Sequence, residues 1–356
     1  MNKRKNVEKS ISNATQVNSK EKFMSGSEID FVILWVDGND SAWLKEKKQY
    51  EKKKIDYSNS ENRFRDFANL QYWFRGVEKY ASWVNHIYFI TWGHVPEWLN
   101  TNHPKLTIVN HRDYIPTEYL PTFNSNTIEL NLHRLKDLSE QFVLFNDDVF
   151  LLDYVKPEDF FKDGMPRDEF ILNAIIPAGE WGRIAYTNLN NVGIINEWFV
   201  KRDVIKKQLL KIFYFGYGIG LLRTMLLLPW NRFAGFFNPH VGASHLKSTF
   251  ERLWELEYEK LDTTCKNCFR GLNDLNHWLM RYWNLCSGNF MPRKHSFSRY
   301  YRLSNNNSVI YDCIRKQKAK MICVNDMSMD IDFERIKKEI KESFELILGE
   351  KSEFEL

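Results

Sequence analysis

Phe142-Val143-Leu144-Phe145-Asn146-Asp147-Asp148-Val149-Phe150 is a run of apolar β-formers that ends in Asn-Asp-Asp and turns apolar again at once. It reads as a buried strand, and a strand that releases adjacent carboxylates at its end sets oxygen atoms at the rim of an α/β sheet. On the motif alone two readings stand. One is a solvent turn, for which Asn and Asp are the usual residues. The other is a seat for Mg²⁺ or Mn²⁺ against the phosphates of a nucleotide.

Outward from this stretch the chain alternates strands and helices. Ile29 to Val36 reads as a first strand ending at Asp37-Gly38-Asn39-Asp40. His86 to Thr91 is a second, closed by Trp92-Gly93-His94, and Leu106 to Asn110 a third. Residues 41–55, rich in Lys and Glu, read as a solvated helix. Phe67, Leu70, Trp73, Phe74 and Val77 keep helical spacing, and Asn124 to Leu138 reads as a helix with Ile128, Leu132 and Leu135 as its apolar stripe. Short connections between such elements predict an α/β fold: a Rossmann-like, mostly parallel sheet flanked by helices.

The pattern loosens after about residue 155, so 155–260 is expected to be a largely helical insertion or subdomain. Within it, 212–237 is the most apolar stretch, and Arg223 interrupts it, leaving no unbroken run near the length needed to cross a bilayer. It reads either as a buried helix or as a membrane-contacting element. Residues 1–26, rich in Lys, Asn and Ser, lack the apolar segment of a signal peptide and read as a disordered tail. Near the other end, Met321 to Val324 reads as a short strand before Asn325-Asp326, and Asp332 to Leu348 as an amphipathic helix.

A net charge of +4, from 50 basic and 46 acidic residues, excludes the clustered basic signature of a nucleic-acid binder. Five cysteines at irregular spacing and no secretion signal point to reduced thiols and a cytoplasmic protein. Cys265-Lys266-Asn267-Cys268 has zinc-knuckle spacing but no second pair to complete it.

Three strand ends finish in acidic turns: Asp37 with Asp40, Asp147 with Asp148, and Asn325 with Asp326. Convergence of all three on one edge would suit a hard cation. Arg63, Arg65 and Arg270 offer planar forks that match phosphate. Glu129 and His133 lie four apart, on one face of the expected helix, and His240 follows a proline in a polar turn. P-loop, GxGxxG and GxSxG patterns are absent, which leaves kinase, dinucleotide and serine-hydrolase readings without support.

Taken together, these segments resemble the Stealth family of sugar-1-phosphate transferases in four ordered blocks. The first is similar to Asp30-Phe31-Val32-Ile33-Leu34-Trp35-Val36-Asp37-Gly38-Asn39-Asp40. The second runs from Arg63-Phe64-Arg65-Asp66 through Ile128-Glu129 and His133-Arg134 to Phe145-Asn146-Asp147-Asp148. Pro239-His240 with Phe269-Arg270-Gly271-Leu272-Asn273-Asp274 forms the third, and Ile322-Cys323-Val324-Asn325-Asp326 with Ser352-Glu353-Phe354 the fourth. After Asp66 this chain departs from many members, carrying Phe67-Ala68-Asn69 where they have a further acidic residue or Asn.

The resemblance implies a catalytic domain over 27–356 with a GT-A-like fold. It implies transfer of a sugar-1-phosphate from a nucleotide-diphosphate sugar, with a UDP-sugar as first expectation, to a glycan hydroxyl in capsular or surface polysaccharide synthesis. The acceptor is expected on a lipid carrier, with peripheral contact at the inner membrane face. Asp147, Asp148 and Asp326 are then the expected ligands of Mg²⁺ or Mn²⁺. His240, Asp66 and Arg270 are the expected catalytic residues, with His240 as general base. Arg63, Arg65, Asp37, Asp40, Glu129, His133, Asn273 and Asp274 are expected to bind substrate. Two rivals remain: a conventional metal-dependent glycosyltransferase, and a non-catalytic glycan- or membrane-binding protein.

Overall fold

The computed structural model describes residues 28–51, 67–177, 183–326 and 331–356. The tail expectation over 1–26 and the site residues Arg63, Arg65 and Asp66 lie outside them.

The central sheet holds five strands in the order β3-β2-β1-β4-β8. β1 (Ile29–Leu34), β2 (Ile87–Thr91), β3 (Leu106–Asn110) and β4 (Gln141–Asn146) are parallel, and β8 (Ala243–Leu246) closes the sheet antiparallel to β4. The near-continuous apolar sequences of β1 and β4 follow from burial on both faces. Phe31, Ile33, Val143 and Phe145 point into one core, while Val32, Phe142 and Leu144 point into the other, as the two-residue period requires.

The first core is roofed by helices Leu70–Tyr80 and Phe333–Leu348. Leu70, Trp73, Phe74 and Val77 face inward from the former, as their spacing predicts. The second core packs against helices Lys247–Leu256 and Trp278–Ser287. At the amino ends of the strands, buried Asp30 accepts from Asn85 Nδ2 (2.8 Å) and the Ser139 N–H (2.7 Å), which makes it a structural brace.

β5 (Val149–Leu151) leaves the Asn-Asp-Asp turn and joins a second sheet, ordered β10-β11-β5, with β10 (Ser298–Arg302) and β11 (Met321–Asn325). A third small sheet joins β6 (Phe161–Lys162), β7 (Met165–Asp168) and β9 (Met291–Pro292).

Two sequence expectations change. The helix expected over 124–138 is Ser125–Leu130, followed by a 3₁₀ turn at Leu132–Arg134. Asn131 donates its side-chain amide to the Thr127 carbonyl (2.8 Å), a local bond that competes with helix continuation. The apolar stretch 212–237 forms no long buried helix. It breaks into a 3₁₀ turn at Phe215–Tyr217 and an eight-residue helix, Gly220–Leu227, with much apolar surface left exposed. Among the described residues no helix is long and apolar enough to cross a membrane.

Candidate functional site

β4 delivers Asn146-Asp147-Asp148 to the carboxyl edge of the parallel strands, beside the end of β1, through the Leu34↔Asn146 register. β5 then doubles back antiparallel to β11 with Val149 opposite Cys323, and the Val324 N–H donates to the Asp148 carbonyl at 2.9 Å. This pairing brings the third acidic strand end to the second, although β11 belongs to another sheet.

Asp148 Oδ2 is crowded. It accepts from Asn325 Nδ2 at 2.9 Å and from Cys323 Sγ at 3.3 Å, and it lies 3.5 Å from His240 Nε2. Asp148 Oδ1 and Asn325 Oδ1 are buried with no hydrogen-bond partner among the described residues. Burial pushes the Asp148 carboxyl up, but bonds from His240, Asn325 and Cys323 outweigh it and hold it below the usual carboxylate range. Burial pushes the His240 imidazole down. Asp148, helped by Glu129, outweighs that and raises it.

His240 reaches this position from a turn that few side chains adopt, with φ of +30°. Two residues on, Gly242 lets the chain pass under the core. A Cβ there would stand 2.8 Å from the Phe145 ring and 3.1 Å from the Met321 methyl. Tyr300 of β10 packs edge-on against the imidazole, with ring centres 5.8 Å apart.

Glu129 and Arg270 complete the cluster. Glu129 is buried, and desolvation pushes its carboxyl up to about 7, against the fields of Arg270 and His240 and bonds from the His277 backbone and Ser125. Its Oε2 has no hydrogen-bond partner among the described residues. Burial pushes the Arg270 guanidinium down from its ordinary value, while Glu129 and Asp274 hold it up. Arg270 donates to the Ser125 hydroxyl. Asp274 is wholly buried and saturated, accepting from Asn124 (2.8 Å), Asn126 (3.0 Å), Asn267 (2.8 Å) and the Gly271 N–H (2.9 Å). Asp274 therefore braces the loop that carries Arg270, while Asn273 beside it is exposed.

The remaining expected residues divide. Asp37 sits at the end of β1 on the same edge. Its N–H donates to His94 Nε2 (2.7 Å), and its Oδ1 accepts from the Asn39 N–H (2.8 Å). Asp40 caps helix Ser41–Tyr50 through the Trp43 N–H at 2.7 Å, a structural use of its carboxylate. His133 does not share a face with Glu129, because the helix ends between them at Leu130. It packs against Phe250 and Trp254, and burial pushes its imidazole down to about 4.

Sequence reasoning missed Cys323, Tyr300 and His94 as neighbours of the site. Cys323 and Tyr300 carry no signal in a strand pattern, whereas His94 stands just past β2, at the edge where strand-end residues gather.

One oxygen of Asp148, one nitrogen of His240 and the Cys323 sulfur lie within 4.8 Å of one another. Burial first, then Asp148, pushes the Cys323 thiol well up, so it stays protonated and donates; a protonated thiol is a poor metal ligand. The partnerless oxygens of Asp148 and Asn325 form, with the carboxylates of Asp147 and Asp326, a set whose chemistry fits a hard divalent cation instead.

Family models match the chain at residues 27–55, as Stealth protein CR1, conserved region 1, and at residues 63–168, as Stealth protein CR2, conserved region 2. A capsular polysaccharide phosphotransferase WcwK of Streptococcus pneumoniae is 47% identical over 92% of this chain and 98% of its own length. The exopolysaccharide phosphotransferase cps2G of Lactiplantibacillus plantarum is 40% identical over 94% of this chain and 98% of its own length. The receptor polysaccharide phosphotransferase WefC of Streptococcus gordonii is 37% identical, covering 92% and 99%. Among solved structures, the galactosyltransferase LgtC aligns with a TM-score of 0.37 and 10% identity, covering 88% of this chain and 95% of that one, too distant a likeness to bear on activity. Identity of 47% across 98% of a relative's length is decisive: the chain belongs to the Stealth family and is a transferase.

Proposed function

We propose that this protein transfers a sugar-1-phosphate from a nucleotide-diphosphate sugar to a glycan hydroxyl, forming the phosphodiester of a capsular or cell-surface polysaccharide. The meeting of Asp148, His240, Glu129 and Arg270 at one sheet edge carries the reading. It supplies a carboxylate-held imidazole for a proton and a half-buried guanidinium for phosphate oxygens. The phosphotransferase relatives support the same chemistry.

The acceptor oxygen bonds to the sugar-bearing phosphorus, the bond from that phosphorus to the bridging oxygen breaks, and a nucleoside monophosphate leaves. The anomeric C–O bond survives. His240 takes the acceptor proton, while Asp148 Oδ2 orients the imidazole and stabilises the imidazolium that results. Arg270, braced by Ser125 and the Asp274 loop, binds phosphate oxygens. Glu129 offsets the charge of Arg270 and steadies His240.

Mg²⁺ or Mn²⁺ would be held by Asp148 Oδ1, Asn325 Oδ1, Asp147 and Asp326, and when bound supplies positive charge against the donor diphosphate. Asp37 and Asn273 remain candidate substrate contacts, as do Arg63 and Arg65, with Asp66 an alternative base. The donor is read as a UDP-sugar. The acceptor is read as a glycan on a lipid carrier at the inner face of the plasma membrane.

Incubation with UDP-, GDP- and CDP-sugars, an acceptor glycan and Mg²⁺ or Mn²⁺ tests this. The expected result is release of a nucleoside monophosphate from one donor of the panel, abolished by chelation and restored by adding the cation back. Release of a nucleoside diphosphate with a phosphate-free glycan would instead assign ordinary glycosyl transfer.

A further inference from the structure

Helix Gly220–Leu227 leaves Leu222, Met225 and Leu226 exposed. Its buried residues are Gly220 and Thr224, one smooth and one polar. Gly220 lies against Ile171, where a Cβ would come within 2.5 Å of the Ile171 side chain. Thr224 Oγ1 accepts from the Leu172 N–H at 3.1 Å. These two contacts, with half-buried Leu221 and Leu227 packed on the second core beside them, pin the helix so that Leu222, Met225 and Leu226 project into solvent. A helix that serves only its own core keeps its large apolar side chains on the inner face.

The segments before and after continue the exposed apolar surface. Leu210 is 92% exposed and Phe215 91%, with Ile219 and Trp230 also exposed. Large apolar side chains gathered in one short segment mark a site that another apolar phase covers.

The charge of the segment identifies that phase. From Val204 to Leu246 the chain carries Lys206, Lys207, Lys211, Arg223 and Arg232 and no Asp or Glu. Lys206, Lys207, Arg223 and Arg232 are exposed. An apolar tip with Trp and Phe, on a segment whose own charged side chains are all basic, complements a bilayer surface with anionic headgroups. A protein partner's apolar face would not call for a one-signed rim. The helix, at eight residues, lies in the interface and does not span it.

The surface is also linked to the site. The turn Phe215–Tyr217 packs against the segment His295–Phe297, and the His295 ring packs on Phe237, three residues before His240, with ring centres 5.5 Å apart. We infer that residues 209–232 form a monotopic docking surface for an anionic lipid bilayer, by which the protein meets its acceptor at the membrane. The inference rests on the functional reading only for what is met there. Vesicle binding is read without any substrate, so failure of one is distinguishable from failure of the other.

Cosedimentation of the full chain with phosphatidylcholine vesicles, with and without phosphatidylglycerol, tests the surface. The expected result is binding that needs phosphatidylglycerol, falls at least about tenfold in a Leu222→Ser/Leu226→Ser/Trp230→Ser variant, and weakens with added salt. Lys206→Glu/Lys207→Glu should weaken binding to the anionic vesicles while the apolar surface stays intact. Every replaced side chain is exposed, so thermal unfolding and activity on a soluble acceptor should match the wild type. Absence of binding to phosphatidylglycerol vesicles by the folded wild type would overturn the proposal. So would equal binding by the triple variant, or a dimer in solution that the triple variant dissolves, because that dimer would assign the surface to a second copy.

Discussion

Asp148 divides its two oxygens between two tasks. Oδ2 is engaged by Asn325, Cys323 and His240, which fixes the carboxylate in one orientation, and Oδ1 is left buried and bare. That arrangement suits a group that must both hold a base and face a cation. Glu129 is the other residue whose protonation the fold controls. Its carboxyl stands at about 7 against an ordinary 4.5 because burial disfavours the charged form. The native state therefore holds this proton more tightly than the unfolded chain does. The stability it contributes is present in full below about 4.5 and is lost as pH rises through about 7. A difference of that size corresponds to roughly 3 kcal/mol. Glu129→Gln cannot ionise, so urea unfolding should find it level with the wild type near pH 4.5 and more stable by up to about 3 kcal/mol near pH 8, with activity lost. Parallel stability curves for the two proteins would show that burial of Glu129 does not control its protonation.

At the scale of elements, the antiparallel pairing of β5 with β11 assembles the site, because it carries Asn325 and Asp326 to the Asp147-Asp148 turn. Sequence showed that three strands end in carboxylates but could not show that one of them lies in a different sheet, since strand pairing across some 170 residues leaves no local pattern. The Glu129–His133 pairing failed for a local reason: Asn131 ends the helix, and a polar residue that bonds its own backbone is not visible in the spacing of apolar ones. A second long-range tie holds the far end of the chain. Arg75 donates from Nε (2.7 Å) and Nη2 (2.8 Å) to both oxygens of Glu355, and from Nη1 to the Leu348 carbonyl at 2.9 Å. Arg75→Met would leave a half-buried carboxylate and a carbonyl without their donor. It should cost about 3 kcal/mol in urea unfolding, and a change of under about 0.5 kcal/mol would show that the tie is not stabilising.

For the whole molecule, the α/β class was readable because β1 and β4 are buried on both faces and their sequences are nearly continuous apolar runs. The positions of Glu129, Arg270 and His240 around Asp148 were not readable, because they come from four separate segments that only the folded sheet edge unites. The outward apolar face of helix Gly220–Leu227 was half legible. The apolar stretch 212–237 stood out, but which side chains face solvent depends on Gly220 and Thr224 docking against residues 171 and 172. The bond proposed for this assembly is to phosphorus. A nucleotide-diphosphate sugar labelled at the phosphorus next to the sugar tests it most directly. The label should pass into the glycan as a phosphodiester while an unlabelled nucleoside monophosphate is released. Label retained in a nucleoside diphosphate, with unlabelled sugar in the glycan, would contradict the account.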